Sequence, residues 1–158
     1  MEITRIPVSK TAMLIRRPVA EVFAAFIDPA ITSKFWFTKG SGRLAAGAHV
    51  RWDWEMFGLA AEVSVKAVEA NRRILIEWSS SGGKPTTVEW LFEPRADDAT
   101  FVTITESGFR GDGDEVVSQA IGSQGGFAFL LAGLKAYLEH DVVLNLSADH
   151  APDAIKER

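Results

Sequence analysis

The stretch Gly122–Asp141, GSQGGFAFLLAGLKAYLEHD, decides how the rest of the chain is read. Phe127, Leu131, Leu134 and Leu138 alternate at spacings of four, three and four, and Val117, Ala120 and Gln124 extend the stripe upstream. Such spacing predicts one long helix, from about Asp112 to His140, laid with its apolar face along a curved sheet. Yet the helix carries Gly122, Gly125, Gly126 and Gly133, and each interior glycine costs roughly 1 kcal/mol relative to alanine. Two explanations are open. A helix that closes a cavity needs small residues where a ligand or a neighbouring backbone comes close. Alternatively, Gly122 to Gly126 mark a break between two helical pieces, with Gly133 packed tightly on another element.

Working outward, residues 36–107 change to period two, with turn signals at SGRLAAG, Met56-Phe57-Gly58, Ala70-Asn71, SSSGGK and RADDA. An antiparallel meander follows, and alternation identifies its inward face. Val50, Trp52 and Trp54 oppose Arg51, Asp53 and Glu55; Ile74, Ile76 and Trp78 oppose Leu75 and Glu77; Val88, Trp90 and Phe92 oppose Glu89 and Glu93. The last strand continues the inward phase with Thr100, Val102, Ile104 and then Glu106, an acid on the apolar side. Before the meander, residues 3–16 read as a strand. Pro18 then opens a short helix carrying Val19, Val22, Phe23 and Phe26, and Asp28-Pro29 ends it and caps a second short helix to about Phe35. The order is strand, two short helices, about six further strands and a long C-terminal helix, an α+β arrangement with the helix gripped by the sheet. Residues 1–141 read as one domain and residues 142–158 as a C-terminal tail.

Composition narrows the function. A chain of 158 residues is most simply one domain with one site. Its 47% hydrophobic and 24% charged content is that of a globular protein, and no apolar run approaches the ~20 residues that span a bilayer. The N-terminal MEITRIPVSKTAM lacks the apolar block of a secretory signal, which points to the cytoplasm. No cysteine is present, which excludes disulfides, thiolate catalysis and cysteine-ligated metals. The net charge of −4 offers no basic footprint for nucleic acid. His49, His140 and His150 have no metal-ligand spacing, GSGRLAAG lacks the Lys-Ser/Thr of a phosphate loop, and GSQGG lacks the order of a nucleophile elbow. No cofactor is expected.

The segments RRPVAEVFAAFIDPA, ANRRILIEW, TFVTITESGF and GGFAFLLAGLKAYLE, in that order, resemble the START-like, or SRPBCC, superfamily, in its branch related to the C-terminal domain of the heat-shock-protein-90 ATPase activator. The similarity covers roughly residues 10–140. It implies a helix-grip fold, like that of the birch pollen allergen, with about six or seven antiparallel strands curved around the long helix and a deep cavity between them. Members bind lipids, sterols, polyketides, hormones and other apolar molecules, and some are aromatase/cyclases. Tryptophan often follows the glycine before the family's final helix, whereas Phe127 follows Gly125-Gly126 in this chain.

Within that frame the candidate ligand-binding residues are Trp36, Trp52, Trp54, Trp78, Trp90, Phe92, Ile104, Glu106, Gln124, Phe127 and Leu131. The rings would give the cavity its shape, or they are core. Glu106 is the candidate for orienting a ligand hydroxyl or acting as general acid/base, unless the strand bends out near Ser107-Gly108 and Glu106 pairs with Arg110. Gln124 is its expected companion across the cavity, and Trp36 is placed at the entrance. The leading expectation is a module that binds a small apolar molecule. A polyketide cyclase/dehydratase-like enzyme using the same cavity is the alternative. A chaperone-interacting protein ranks third, because the named relative works with an additional N-terminal domain for which the chain has no room. The apolar breadth of Phe127 to Leu134 fits either a homodimer or a fully buried helix.

Overall fold

The computed structural model of the protein describes residues 2–79 and 83–154. Its elements run β1 (Ser9–Ile15), α1 (Val19–Ile27), α2 (Pro29–Thr32), β2 (Lys39–Gly40), β3 (His49–Trp54), a 3-10 turn at Glu55–Phe57, β4 (Leu59–Glu69), β5 (Arg73–Ser79), β6 (Thr86–Arg95), β7 (Ala99–Ser107), α3 (Gly113–His140) and α4 (Leu146–Asp149). The strands form one antiparallel sheet in the order β1-β7-β6-β5-β4-β3-β2, wrapped around α3. This is the expected helix-grip fold. The first strand closes on the last, so a chain that starts at one edge and meanders back leaves only β1 and the short β2 as edges.

Local chemistry explains the joints. Asp28 ends α1 and its Oδ1 accepts from Ala30 N at 3.0 Å, while Pro29 opens α2. The second helix is a single turn that ends at Thr32, shorter than the expected run to Phe35. Thr32 Oγ1 is tied back to the carbonyls of Ala25 and Asp28, and Phe35, Trp36 and Phe37 turn their rings into the core. Asn71 at the β4–β5 turn, and Asp97 and Asp98 at the β6–β7 turn, hold left-handed backbone, which short polar side chains tolerate. A register shift between Val65 and Ala67 puts a bulge in β4, which bends the strand. Of the turn expected at SSSGGK, residues 80–82 lie outside the described residues.

The long helix is continuous over 28 residues, with Asp112 as N-cap accepting from Glu115 N at 2.9 Å. Its glycines therefore do not mark a break. An added Cβ at Gly133 would stand 3.1 Å from the Phe35 carbonyl oxygen and 3.3 Å from Phe35 Cβ, so this glycine lets the helix touch the segment after α2. At Gly125 and Gly126 an added Cβ would meet nothing within 4 Å. Gly125→Ala and Gly126→Ala should thus each stabilise the fold by roughly 1 kcal/mol, whereas Gly133→Ala should destabilise it. Urea unfolding would separate the three, and a loss of stability at position 125 or 126 would show that this face of α3 is engaged.

The other end of α3 is clamped. The Glu139 carboxylate accepts from Arg16 N at 2.8 Å and Lys135 Nζ at 2.7 Å, and the same ammonium donates to the Leu14 carbonyl at 2.8 Å. Burial pushes the Glu139 carboxyl up, but the Arg16 N–H and the Lys135 ammonium outweigh it and hold the group below the ordinary glutamate range. After α3, the tail forms α4, and the His150 ring lies tilted 4.8 Å from Phe129 and edge-on 5.9 Å from Phe57.

Candidate functional site

The inward face carries the residues that alternation assigns to it. Val50, Trp52, Ile74, Ile76, Val88, Trp90, Phe92, Thr100, Val102, Ile104 and Glu106 are all buried, and Trp54 and Trp78 are half-buried. Much of the space that a helix-grip fold could leave empty is filled with rings. Trp36 is the hub: its centroid lies 5.0–6.1 Å from those of Phe37, Trp52, Trp54, Trp78, Trp90 and Phe127. Phe127 enters from α3 and stacks on Trp78 at 6.0 Å with an interplanar angle of 21°. Such offset and edge-on pairs add to the burial of apolar area. Among the described residues, Trp90 Nε1, buried within this packing, has no hydrogen-bond partner.

The rings stop at Trp54 and Trp78, and beyond them opens a cavity of about 530 Å³. It lies between the ends of β4, β5, β6 and β7 and the first half of α3. Small residues make the space: Ala60 and Ala61 on β4, Gly122 and Ser123 on α3. Gly122 has nothing within 4 Å of an added Cβ. A separate buried cluster of Phe109, Val116 and Ala120 seats the start of this half of the helix. Apolar side chains of Trp54, Phe57, Leu59, Trp78 and Phe109 dominate the wall, with Ser79, Lys84, Thr86 and Gln119 near its edge.

On the cavity wall sits Glu106, 5% exposed. Its strand does not bend outward; β7 pairs with β1 and β6 as far as Ser9↔Glu106 and Thr87↔Ser107. Nor does Arg110 pair with it, since that guanidinium donates to the Pro85 carbonyl at 2.8 Å. Instead, Glu106 Oε2 accepts from Trp78 Nε1 at 2.8 Å and from Thr86 Oγ1 at 2.5 Å, and Oε1 accepts from Ser123 Oγ at 2.6 Å. Three neutral donors from β5, β6 and α3 thus converge on one acid.

The placement of Gln124 is a correction: it is exposed, and Ser123 takes the position facing Glu106. Between Ala120 and Phe127 the stripe can step four then three, through Gln124, or three then four, through Ser123. Val116, Ala120, Ser123, Phe127, Leu130 and Leu134 follow the second phase. Trp52, Trp90, Phe92, Ile104, Phe127 and Leu131 stand in the core behind the cavity rather than on its wall. Trp36 lines a second cavity of about 150 Å³, between the residues after α2 and the Val143–Ala148 segment. Thr86 and Ser123, small hydroxyl residues at inward positions beside an inward acid, were the signals for the donor set that the alternation of apolar residues passes over.

A helix gripped by a closed-up meander, with its cavity under the first half of the helix, can be compared with known proteins. The model of the Activator of Hsp90 ATPase homolog 1-like protein family matches residues 16–139. The chain belongs to this family. Among solved structures, the protein SSP2350 from Staphylococcus saprophyticus superposes with a TM-score of 0.74 at 30% identity, covering 87% of this chain and 96% of that one. DynU16, a protein of the dynemicin biosynthetic locus, gives 0.75 at 27% identity, covering 86% of this chain and 48% of its own. The Aha1 dimer of Colwellia psychrerythraea gives 0.70 at 19% identity, over 85% and 97%. No curated protein matches the chain. Among the described residues no helix is long and apolar enough to cross a membrane, and no group of acidic or histidine side chains is arranged to hold a metal ion.

Proposed function

We propose that the cavity beside Glu106 binds a small, largely apolar molecule, which the protein carries or sequesters. The observation that carries this reading is a single buried carboxylate on a wall dominated by rings and aliphatic groups, with a few polar side chains among them. Apolar surface supplies affinity there, and one polar group fixes orientation, which is the usual composition of a small-molecule site. Membership of the family supports the same reading at the level of the fold.

Gly122→Trp tests it without disturbing the core, because the position faces open space at the cavity and the indole would occupy the mouth. An environment-sensitive apolar dye should bind the native protein and fail to bind this variant, while circular dichroism and unfolding remain native. Native mass spectrometry of freshly purified protein should likewise show a retained apolar molecule that the variant lacks. Unchanged dye binding by a folded Gly122→Trp would remove the cavity from consideration.

A second reading, turnover in the same cavity, is favoured by the exposure of Glu106 to the cavity and by the similarity to a protein of a biosynthetic locus. In it Glu106 serves as general acid/base on a polyketide-like substrate, and Glu106→Gln separates the readings by abolishing turnover while retaining binding.

A further inference from the structure

Resting on that binding reading, we propose that the ligand is a cation: a largely apolar, ring-bearing amine whose ammonium group donates to Glu106. The carboxylate offers about four acceptor positions. Among the described residues, Trp78 and Thr86 occupy those of Oε2 and Ser123 occupies one on Oε1, which leaves one on Oε1 for a ligand. All three donors are neutral. Among the described residues, no lysine, arginine or histidine comes within ion-pair distance of Glu106, although nearly every other buried or half-buried acid described, including Glu89 and Glu139, has a cation against it. A buried carboxylate whose partners among the described residues are all neutral gains most from a ligand that brings positive charge.

The walls favour the same sign. Rings of Trp54, Phe57, Trp78 and Phe109 surround the space, and aromatic rings attract a nearby cation through their quadrupoles while giving an alcohol or a carboxylate no such gain. Lys84 is the cation on the cavity wall; it is exposed at the edge, where water and salt screen it, and makes no ion pair with Glu106. An acid entering carboxylate-first would lie against Glu106 with like charges in contact and neither compensated. The order of affinity set by this geometry is ammonium, then hydroxyl, then carboxylate.

The test is a titration of the native protein at neutral pH with three probes of one shape, naphthylmethylamine, naphthylmethanol and naphthoic acid, read by quenching of tryptophan fluorescence and by calorimetry. The amine should bind roughly ten-fold or more tightly than the alcohol, because its charge adds attraction to a hydrogen bond that both can make, and the acid weakest of all. Glu106→Gln should bring the amine down to the level of the alcohol. Equal or tighter binding of the alcohol or the acid overturns the assignment of charge and leaves the cavity intact as a binding site. Failure of all three probes to bind overturns the assignment together with the reading on which it rests.

Discussion

Phe127→Ala should lower the unfolding free energy by about 3–5 kcal/mol, the range for removing a ring from a packed interior. The side chain is 3% exposed and lies against Trp36, Trp78 and Trp90, with centroid separations of 6.1, 6.0 and 6.2 Å. Those neighbours belong to different elements: the segment after α2, β5 and β6. No single shift of one element can refill the space, so the cavity term stays nearly whole. Ile121→Ala, on the solvent side of the same helix at 69% exposure, is the control and should change stability by no more than about 0.5 kcal/mol. Urea unfolding followed by tryptophan fluorescence measures both. A loss below about 1 kcal/mol at Phe127 would mean that the ring cluster can collapse around the gap, and that the boundary between filled core and open cavity is not fixed.

That boundary was the part of the molecule least legible in the sequence. A strand has a period of two, so once Trp52 is inward Val50 and Trp54 must be, and the same logic carried the inward set to Glu106. A helix has no such whole-number period. From Ala120 to Phe127 the steps four-three and three-four are equally good, and only the packing of Phe109, Val116 and Ala120 selects Ser123 over Gln124. Glycines are ambiguous for a related reason. Gly126 in open space and Gly133 against the Phe35 carbonyl read alike in the sequence, because what distinguishes them is on another element. The rings show the same limit: alternation tells which way Trp90 and Trp78 point, but not that Trp90 is sealed in the core while Trp78 ends the filling and borders the cavity. The role of Trp36 as hub depends on α2 ending at Thr32, a tertiary outcome of the Thr32 hydroxyl bonds.

Glu106→Ala should cost about 2–4 kcal/mol of stability, whereas Glu106→Gln should cost less than about 1 kcal/mol. Alanine removes the shared acceptor of Trp78 Nε1, Thr86 Oγ1 and Ser123 Oγ, and each donor so stranded in a half-buried position carries a desolvation penalty of about 1–3 kcal/mol. The two hydroxyls can turn toward the cavity and recover part of this; the indole N–H, fixed by the stacking of Trp78 on Phe127, cannot. Glutamine keeps a carbonyl oxygen for Trp78 and Thr86 and presents its amide to the Ser123 oxygen, so the convergence of β5, β6 and α3 survives without the charge. Comparing the two variants therefore isolates what the charge contributes. If glutamine were as damaging as alanine, the charge itself would be holding the three elements together, and Glu106 would be a structural anchor first. If glutamine folds like the native protein and differs only toward charged or reactive ligands, the acid is maintained for what enters the cavity. The geometry favours the second outcome, because Trp78 and Thr86 satisfy an amide oxygen and the Ser123 oxygen can accept from the amide nitrogen.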